Sequence, residues 1–445
     1  MQMSLLTHLL GPRSAFDGGL YLPDRKASLA RRPIQTLHPE GPLHVPLTVR
    51  RDLPTEPVVR PGDRVVLGQA LSRAANDQAV GVHAPCAGTI EALKRVWTVE
   101  DGFLPGAILS PDGSNERTRQ HQGWDNESII VQLAENGVVC DTPRAPLHVV
   151  MREAISAGVT DLIVNAMETE PYLTADLRTL VEFPGRMIDT TCELADALGV
   201  SRAILAVPFR HRRVVRRLQS EAAGRYVEIV ALSNPYPQCH PVMLLKAVLD
   251  REVAPGASIF TEDAIVLPMA TVRRASDALL SDLPTTHALM TVAGDIVEHA
   301  GTYRVPIGTR LSDLAKRVGL VAPAAQVIYG GPLTGSAFGY EEAVVTPDSK
   351  ALLLFGRADI SRPVPCVRCG WCVEDCPVGI DPPALMRLET ESVCSDQKRT
   401  SLRACIECGL CSHVCPSRLP LSETIVRNRI RFTGGDSATE GGTRH

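Results

Sequence analysis

The sequence predicts an α+β chain of several domains: an N-terminal β domain, an α/β layer, a small β-grasp module and a helical C-terminal segment rich in cysteine. Three observations predict this fold class. The chain has 445 residues, which is too long for one hydrophobic core. Short alternating apolar stretches give way to alternating strand-like and helix-like runs. Nine of the 13 cysteines then fall between residues 366 and 415.

The composition excludes several classes of protein. A net charge of −4 lacks the basic balance of nucleic-acid-binding domains, and 4% aromatic residues leave few side chains for stacking on bases. No uncharged apolar run reaches the roughly 18 residues that a membrane-spanning helix needs. The first ten residues lack the basic and long apolar regions of a secretion signal. We therefore expect a cytoplasmic chain whose association with a membrane comes through a partner.

The cysteines of the C-terminal segment form two runs of the same spacing. Each run has the pattern C-x2-C-x2-C-x3-C-P, the first starting at Cys366 and the second, 39 residues later, at Cys405. This is the spacing of bacterial two-cluster ferredoxins, in which the fourth cysteine of each run ligates the cluster of the other run. The predicted ligands are Cys366, Cys369, Cys372 and Cys415 for one [4Fe–4S] cluster (cluster A) and Cys405, Cys408, Cys411 and Cys376 for the second (cluster B).

A zinc site is the alternative for such a segment, because C-x2-C pairs also bind zinc. Zinc needs neither the third cysteine nor the repeated Cys-Pro pair, so the spacing favours clusters. Gly370 and Gly409 would let backbone amides approach the cluster sulfurs and influence the reduction potential. Cys394 fits no ligand position. The scattered cysteines Cys86, Cys140, Cys192 and Cys239 are interpreted as small buried hydrophobic residues.

Residues 1–115 are predicted to form a barrel-sandwich β domain. The stretches starting at Pro61 and Gly81 resemble the two halves of the hammerhead of biotinyl and lipoyl carriers. Those carriers modify a lysine on an exposed hairpin, and no such lysine turn is present here. A structural scaffold is therefore the better interpretation of this domain.

Residues 116–280 are predicted to form the α/β domain, with buried strands at 161–166 and 203–207 and helices at 149–157 and 213–222. Residues 281–345 have the pattern strand, turn, strand and capped helix, which suits a β-grasp module. Residues 346–433 hold the cysteine runs, and 434–445 are predicted to be disordered. Five arginines between Arg210 and Arg217 favour a solvated helix face, with docking of an acidic partner as the alternative.

Taken together, these parts resemble the C subunit of the Rnf (Rsx) ion-translocating electron-transport complex across nearly the whole chain. Further matches are Gly18-Gly-Leu-Tyr-Leu-Pro, Glu168-Thr-Glu-Pro-Tyr-Leu-Thr-Ala-Asp, Tyr236-Pro-Gln, Val305-Pro-Ile-Gly-Thr and Gly330-Gly-Pro-Leu-Thr-Gly. The resemblance implies a domain like the flavin subunit of respiratory complex I and an SLBB-like β-grasp module. It also implies FMN and NADH sites and a double-cluster segment.

Three departures from the family fall within the α/β domain. A glycine-rich loop that approaches the flavin phosphate in the family is replaced here by residues 137–148, which hold two prolines and Asp141. Cys239-His-Pro stands where the family usually has Gly-Gly-Glu, and an Asn-Val pair expected near 267–271 is absent. The sequence thus predicts that the FMN and NADH site is weakened or abandoned.

The resemblance implies two roles for Glu168 and Glu170. In an intact site these carboxylates would face the flavin or the nicotinamide ribose, and in a lost site they would remain as helix or turn caps. No general acid, base or nucleophile constellation is evident, so we expect no catalytic residue of that kind.

The first hypothesis is therefore a peripheral subunit on the cytoplasmic face of an Rnf-type membrane complex. It would pass electrons through its clusters between membrane subunits and either NADH or a docked ferredoxin or flavodoxin. The altered loop favours the docked carrier and makes a dehydrogenase activity of its own an open question. The alternative is a free-standing NADH-dependent flavin reductase of the microcompartment cobalamin-reductase type, and a zinc-stabilised interaction protein is a third class.

Overall fold

The structure, a computed structural model, describes residues 16–118, 129–337, 339, 342–358 and 361–434. The predictions for residues 1–10 and for the tail beyond Gly434 lie outside these ranges. Among the helices described, none is both long and apolar enough to cross a membrane.

The N-terminal β domain is built around one long hairpin. Its strands are β1 (Gln35–Thr36), β2 (Leu43–Pro46), β3 (Thr55–Pro57), β4 (Arg64–Val65), β5 (Ser72–Ala74), β6 (Gly88–Thr98) and β7 (Gly102–Pro111), preceded by a 3₁₀ turn at Leu29–Arg31. One sheet has the order β2-β7-β6-β4, and β3 pairs separately with β5. Val45, Ile90 and Leu109 are buried in its core. The predicted strands of this domain are confirmed.

The second unit is a parallel sheet with helices on both faces. Its elements are α1 (Ile129–Glu135), β8 (Val139–Asp141), β9 (Arg144–Pro146), α2 (Leu147–Ser156), β10 (Asp161–Asn165), α3 (Ala175–Glu182), α4 (Pro184–Leu198), β11 (Arg202–Pro208), α5 (Arg212–Glu221), β12 (Val227–Leu232), α6 (Pro241–Leu249), a 3₁₀ turn (Ile259–Glu262), β13 (Ala264–Pro268) and α7 (Met269–Ser281). The sheet order is β12-β11-β10-β13. Central β10 is apolar because both faces are covered, with Leu162 in one core and Ile163 in the other. The predicted strands and helices are confirmed to within two residues.

The third unit has the predicted order of strand, turn, strand and helix. It contains β14 (His287–Ala293), β15 (Gly301–Pro306), α8 (Leu311–Val318), β16 (Gln326–Tyr329), β17 (Ser336–Ala337) and β18 (Ala351–Phe355). The sheet order is β1-β15-β14-β18-β16-β17. The sheet therefore takes in β18, beyond the end predicted at residue 345, and β1 from the N-terminal segment. Local sequence patterns cannot reveal such pairings, because the partner strands lie far apart in the chain.

The C-terminal unit is helical and contains the cysteine runs. Its helices are α9 (Trp371–Glu374), α10 (Pro382–Met386), a 3₁₀ turn (Arg387–Thr390), α11 (Asp396–Ala404), α12 (Leu410–His413) and α13 (Leu421–Thr433). A small apolar core contains Leu388, Leu402 and Ile425. Cys394, which fits no ligand position in the sequence, is 6% exposed and belongs to this core.

A strap formed by residues 16–37 ties the other units together. The Gly19 amide donates to the Asp375 carbonyl of the C-terminal unit, and Leu20 exchanges two backbone hydrogen bonds with Tyr236 of the α/β unit. The buried Lys26 ammonium donates to the Glu168 carbonyl at 2.6 Å. The strap ends in β1, which pairs with β15 in parallel.

A buried ion pair lies between Asp141 at the end of β8 and Arg274 on α7. The two side chains are 2% and 3% exposed. The Arg274 guanidinium also donates to the Val139 and Pro347 carbonyls, so its remaining N–H groups are satisfied. This pairing compensates the charge that Asp141 introduces in place of a glycine loop.

We expect Arg274→Met to destabilise the chain by about 3–5 kcal/mol, because it leaves the Asp141 carboxylate buried without its partner. The free energy of unfolding, measured in urea, tests this expectation. The matched control is Arg202→Met, which breaks the exposed pair with Glu228 and should cost at most about 1 kcal/mol. Equal losses in the two variants would contradict a special role for the buried pair.

Candidate functional site

The structure brings the first predicted set of four cysteines together at one end of the C-terminal unit. Burial raises the pKa of the Cys372 thiol, and the nearby charges of Cys415, Cys369 and Cys366 raise it further. Cys415 reaches this group from the second run because the Val364 amide donates to the Ser417 carbonyl at 3.0 Å. Cys366 and Cys369 are exposed, so this end of the unit opens to solvent.

The second predicted set lines one closed cleft. Cys376, Cys405, Cys408 and Cys411 all contribute to its wall. Burial raises the pKa of the Cys405 and Cys411 thiols to about 12, and the neighbouring cysteines contribute to the rise. Thiols held neutral in this way become thiolate ligands when a metal centre replaces their protons.

The zinc alternative can be compared with the arrangement of the cysteines. Among the described residues, no set of three or more His, Cys, Asp or Glu side chains is placed to hold one metal ion. A cubane cluster separates its four thiolates more than a zinc ion does. The four cysteine thiols of each group are the donor set that a [4Fe–4S] cluster uses.

The two cysteine loops share a backbone geometry that follows from their repeat. Arg368 and Gly370 have φ values of 56° and 86°, and Glu407 and Gly409 have 55° and 76°. Glycine adopts this left-handed region without steric cost, and it lets the chain turn tightly between the second and third cysteines. A short helix, α9 or α12, follows each turn.

A cavity of about 420 Å³ lies beside the second cysteine group. Its walls come from the β8–β9 hairpin, the start of α6, the β-grasp loop at 329–336 and the cysteine loop at 406–408. Tyr236 joins the cavity to the cysteine loop, because its hydroxyl donates to the Cys408 carbonyl at 2.6 Å. The cavity volume lies in the range of small-molecule sites.

The charges of this cavity oppose a phosphate ligand. Six acidic residues line it: the carboxylates of Asp141, Glu153, Glu170, Asp348 and Glu407, and the Glu100 carboxyl, whose pKa burial raises to about 8. Its described cationic lining residues are Arg144 and Lys350. The Arg144 guanidinium already donates to Asp348 at 2.5 Å and to Asp101 at 2.9 Å.

The hairpin that replaces the glycine loop offers few donors to a phosphate. It closes through a cis bond between Thr142 and Pro143, and Pro143 and Pro146 have no N–H. The Asp141 amide is held by the Thr271 hydroxyl at 3.2 Å. The residues present therefore do not fit the phosphate of FMN, although the cavity is large enough for a ligand of that class.

Glu168 and Glu170 both act as caps. Glu168 accepts hydrogen bonds from the Asp176 and Leu177 amides at the start of α3 and is not among the lining residues of the cavity. Glu170 lies in the cavity wall, where its carboxylate accepts from the Leu333 and Thr334 amides and from the Thr334 hydroxyl. These contacts match the cap alternative that the sequence left open.

Cys239 and His240 stand where the family has glycine and also line the cavity. The Thr169 hydroxyl donates to the Cys239 sulfur at 2.8 Å. His240 caps α6 through its Nδ1, and burial lowers its pKa to about 4. Both side chains occupy space in the α/β unit without forming a catalytic constellation.

Sequence reasoning missed the contribution of the β-grasp module to this cavity. Tyr329, Gly330 and Thr334 form one wall, and Lys350 follows them in the chain. The motif starting at Gly330 was the available signal in the sequence, because it matched the family and had been given no function.

The comparisons with known proteins agree with this architecture. Residues 14–114 match the RnfC barrel sandwich hybrid domain, and residues 143–276 match the Nuo51 FMN-binding domain. These matches define a chain built on a barrel-sandwich domain and a domain of the complex I flavin-subunit type. The resemblance to the C subunit of the Rnf complex that was inferred from the motifs is confirmed.

The chain is similar over most of its length to three C subunits. It is 25% identical to that of the proton-translocating ferredoxin:NAD(+) oxidoreductase complex of Clostridium ljungdahlii, over 86% of each chain. It is 25% identical to its Na(+)-translocating counterpart from Acetobacterium woodii, over 82% of this chain and 85% of the relative. The C subunit of an ion-translocating oxidoreductase complex from Yersinia enterocolitica is 28% identical over 83% of this chain, which spans only 55% of that relative. An NAD+-reducing [NiFe]-hydrogenase chain superposes with a TM-score of 0.48 at 16% identity, over 72% of this chain and 64% of that chain.

The buried Glu100 carboxyl makes the free energy of unfolding depend on pH. Its Oε2 is buried without a hydrogen-bond partner in the described part of the chain. Burial, with Asp348 nearby, raises its pKa from 4.5 to about 8. The folded chain thus holds a proton that the unfolded chain releases, so stability falls as pH rises from 4.5 to about 8.

We expect Glu100→Gln, which mimics the protonated carboxyl, to reduce this fall. The slope that this group contributes is at most about 1.4 kcal/mol per pH unit. Urea unfolding at a series of pH values measures it, with the exposed Glu91→Gln on β6 as the control. Identical slopes in wild type and Glu100→Gln would show that Glu100 is ionised in the folded chain.

Proposed function

We propose that the chain is an iron–sulfur relay subunit of an Rnf-type membrane complex, with two [4Fe–4S] clusters and a vestigial dehydrogenase site. Cluster A would be held by Cys366, Cys369, Cys372 and Cys415, and cluster B by Cys405, Cys408, Cys411 and Cys376. When bound, the clusters supply one-electron transfer. The chain would lie on the cytoplasmic face of the membrane through its partner subunits.

The observation that supports this proposal best is the crossed grouping of the cysteines. Cys415 of the second run lies with the first run, and Cys376 of the first run lies with the second. The charge of Cys372 also reaches Cys411, so the two groups adjoin. Adjoining clusters suit stepwise movement of electrons through the unit.

The cavity supports a scaffold role for the α/β unit. Its acidic lining and proline-containing hairpin disfavour the FMN phosphate. We therefore propose that electrons enter or leave through a docked soluble ferredoxin or flavodoxin and through the membrane subunits.

The size of the cavity favours a second candidate, in which the site still binds FMN and NADH. A free-standing flavin reductase of the cobalamin-reductase type depends on that site most strongly. Both versions require flavin in the purified chain, and the relay does not.

Cysteine substitutions test the crossed ligation. After anaerobic purification, the wild-type chain should contain about eight irons and eight sulfides. Cys376→Ser should remove the cluster B signal in electron paramagnetic resonance and spare cluster A, although Cys376 belongs to the first run. Cys394→Ser, in the apolar core, is the matched control and should keep both signals. Loss of cluster A in Cys376→Ser would overturn the crossed assignment.

Flavin content and reduction by NADH separate the two candidates. We expect no bound FMN and no bleaching of the cluster absorption on anaerobic titration with NADH, whereas dithionite or reduced ferredoxin bleaches it. Preincubation with excess FMN should not change this outcome, because the phosphate meets acidic groups. Stoichiometric FMN with bleaching by NADH would establish a working dehydrogenase site, and absence of iron would remove the relay proposal.

A further inference from the structure

The two halves of the C-terminal unit differ in how they are covered. The second cysteine loop packs against the chain's own α/β and β-grasp units, where Tyr236 donates to the Cys408 carbonyl. A Cβ on Gly409 would lie 2.6 Å from the Leu333 carbonyl oxygen, so backbone closely covers this turn. The first loop has no such cover, since a Cβ on Gly370 would meet nothing in the described chain within 4 Å.

The repeat of 39 residues makes it possible to compare equivalent side chains of the two cysteine loops. Ile406 and Leu410 of the second loop are 9% and 1% exposed. Their equivalents in the first loop, Val367 and Trp371, are 65% and 52% exposed. The same two positions therefore hold large apolar side chains in both loops, and only the second pair is buried.

The exposed pair belongs to a larger apolar patch. Val364 and Val373 are 53% and 42% exposed beside it, so four large apolar side chains lie within ten residues of sequence. Every residue from 361 to 371 is exposed, including Cys366 and Cys369. An apolar patch around a ligand loop marks an interaction surface rather than ordinary exposed surface.

The margin of this patch is mainly basic. Arg362 and Arg368 are exposed on the first loop, and Glu374 is an exposed acid at the end of α9. An apolar centre with an exposed tryptophan is typical of a stable interface, whereas transient electron-transfer contacts are small. The basic margin complements a partner with acidic residues around an apolar face.

We propose that this surface, centred on Val367 and Trp371, docks another redox subunit of the same complex, with an apolar face and an acidic margin, against cluster A. This inference rests on the proposed relay function. It makes cluster A the cluster that exchanges electrons with the partner subunit. The partner covers Val367 and Trp371 as the chain's own units cover Ile406 and Leu410. The partner's cofactor then lies next to the exposed Cys366 and Cys369 loop.

Binding to membranes that carry the remaining subunits and lack this chain tests the proposal. Trp371→Gln should weaken binding of the cluster-loaded chain about 30-fold or more, as expected for loss of an interface hot spot. Val393→Gln is the matched control, because Val393 is 75% exposed in the same unit but away from the loop; it should bind like the wild type. Arg362→Glu should slow association and alter its salt dependence.

Iron and sulfide contents of each variant are measured first, so loss of clusters is distinguished from loss of docking. Membrane binding by Trp371→Gln at the wild-type level would overturn the proposal while leaving the relay function intact. A wild-type dimer in light scattering that Trp371→Gln dissociates would assign the surface to a second copy and would also overturn it.

Discussion

The arrangement of the three N-terminal units depends on the ion pairs of Arg144. Its guanidinium lies between Asp101 of the β6–β7 turn and Asp348 of the β-grasp unit, while its carbonyl accepts from Arg50. Burial alone would lower the pKa of Arg144, but the two carboxylates raise it, so the guanidinium stays protonated. Three units thus meet at one side chain, and removing it would leave two carboxylates facing each other in a partly buried setting.

The position of this junction explains the altered cavity. The hairpin that carries Arg144 occupies the region where the family has a glycine-rich loop, and the same hairpin carries Asp141. A loop that donates amides to a phosphate must leave those amides open, whereas this hairpin uses its side chains to join domains. The same short hairpin cannot both form ion pairs between units and leave its amides open to an anion. In this chain the hairpin forms the ion pairs.

Local patterns in the sequence predicted the elements well and their long-range partners poorly. The strands β10 and β11 and the helices α2 and α5 follow from apolar periodicity, and the crossed ligation of the cysteines, which rests on their spacing, stays a prediction. The role of β1 in the β-grasp sheet could not be predicted, because two polar residues, Gln35 and Thr36, have no strand signature. The ion pairs of Asp141 and Arg144 were equally hidden, because their partners lie far away in the sequence. The caps formed by Glu168 and Glu170 were foreseen as one of two roles, because a carboxylate that binds amides and one that faces a ligand look the same in sequence.

The strap at residues 16–37 has a consequence for how the chain is made. The ribosome produces this segment early, yet its contacts are with Glu168, Tyr236, Arg304 and Asp375. The strap therefore stays unattached while most of the chain is synthesised, and its contacts have high sequence separation. The contact between Gly19 and Asp375 forms only when the C-terminal unit is present, so the strap is fixed last and its cleavage by proteases would reveal incompletely folded molecules.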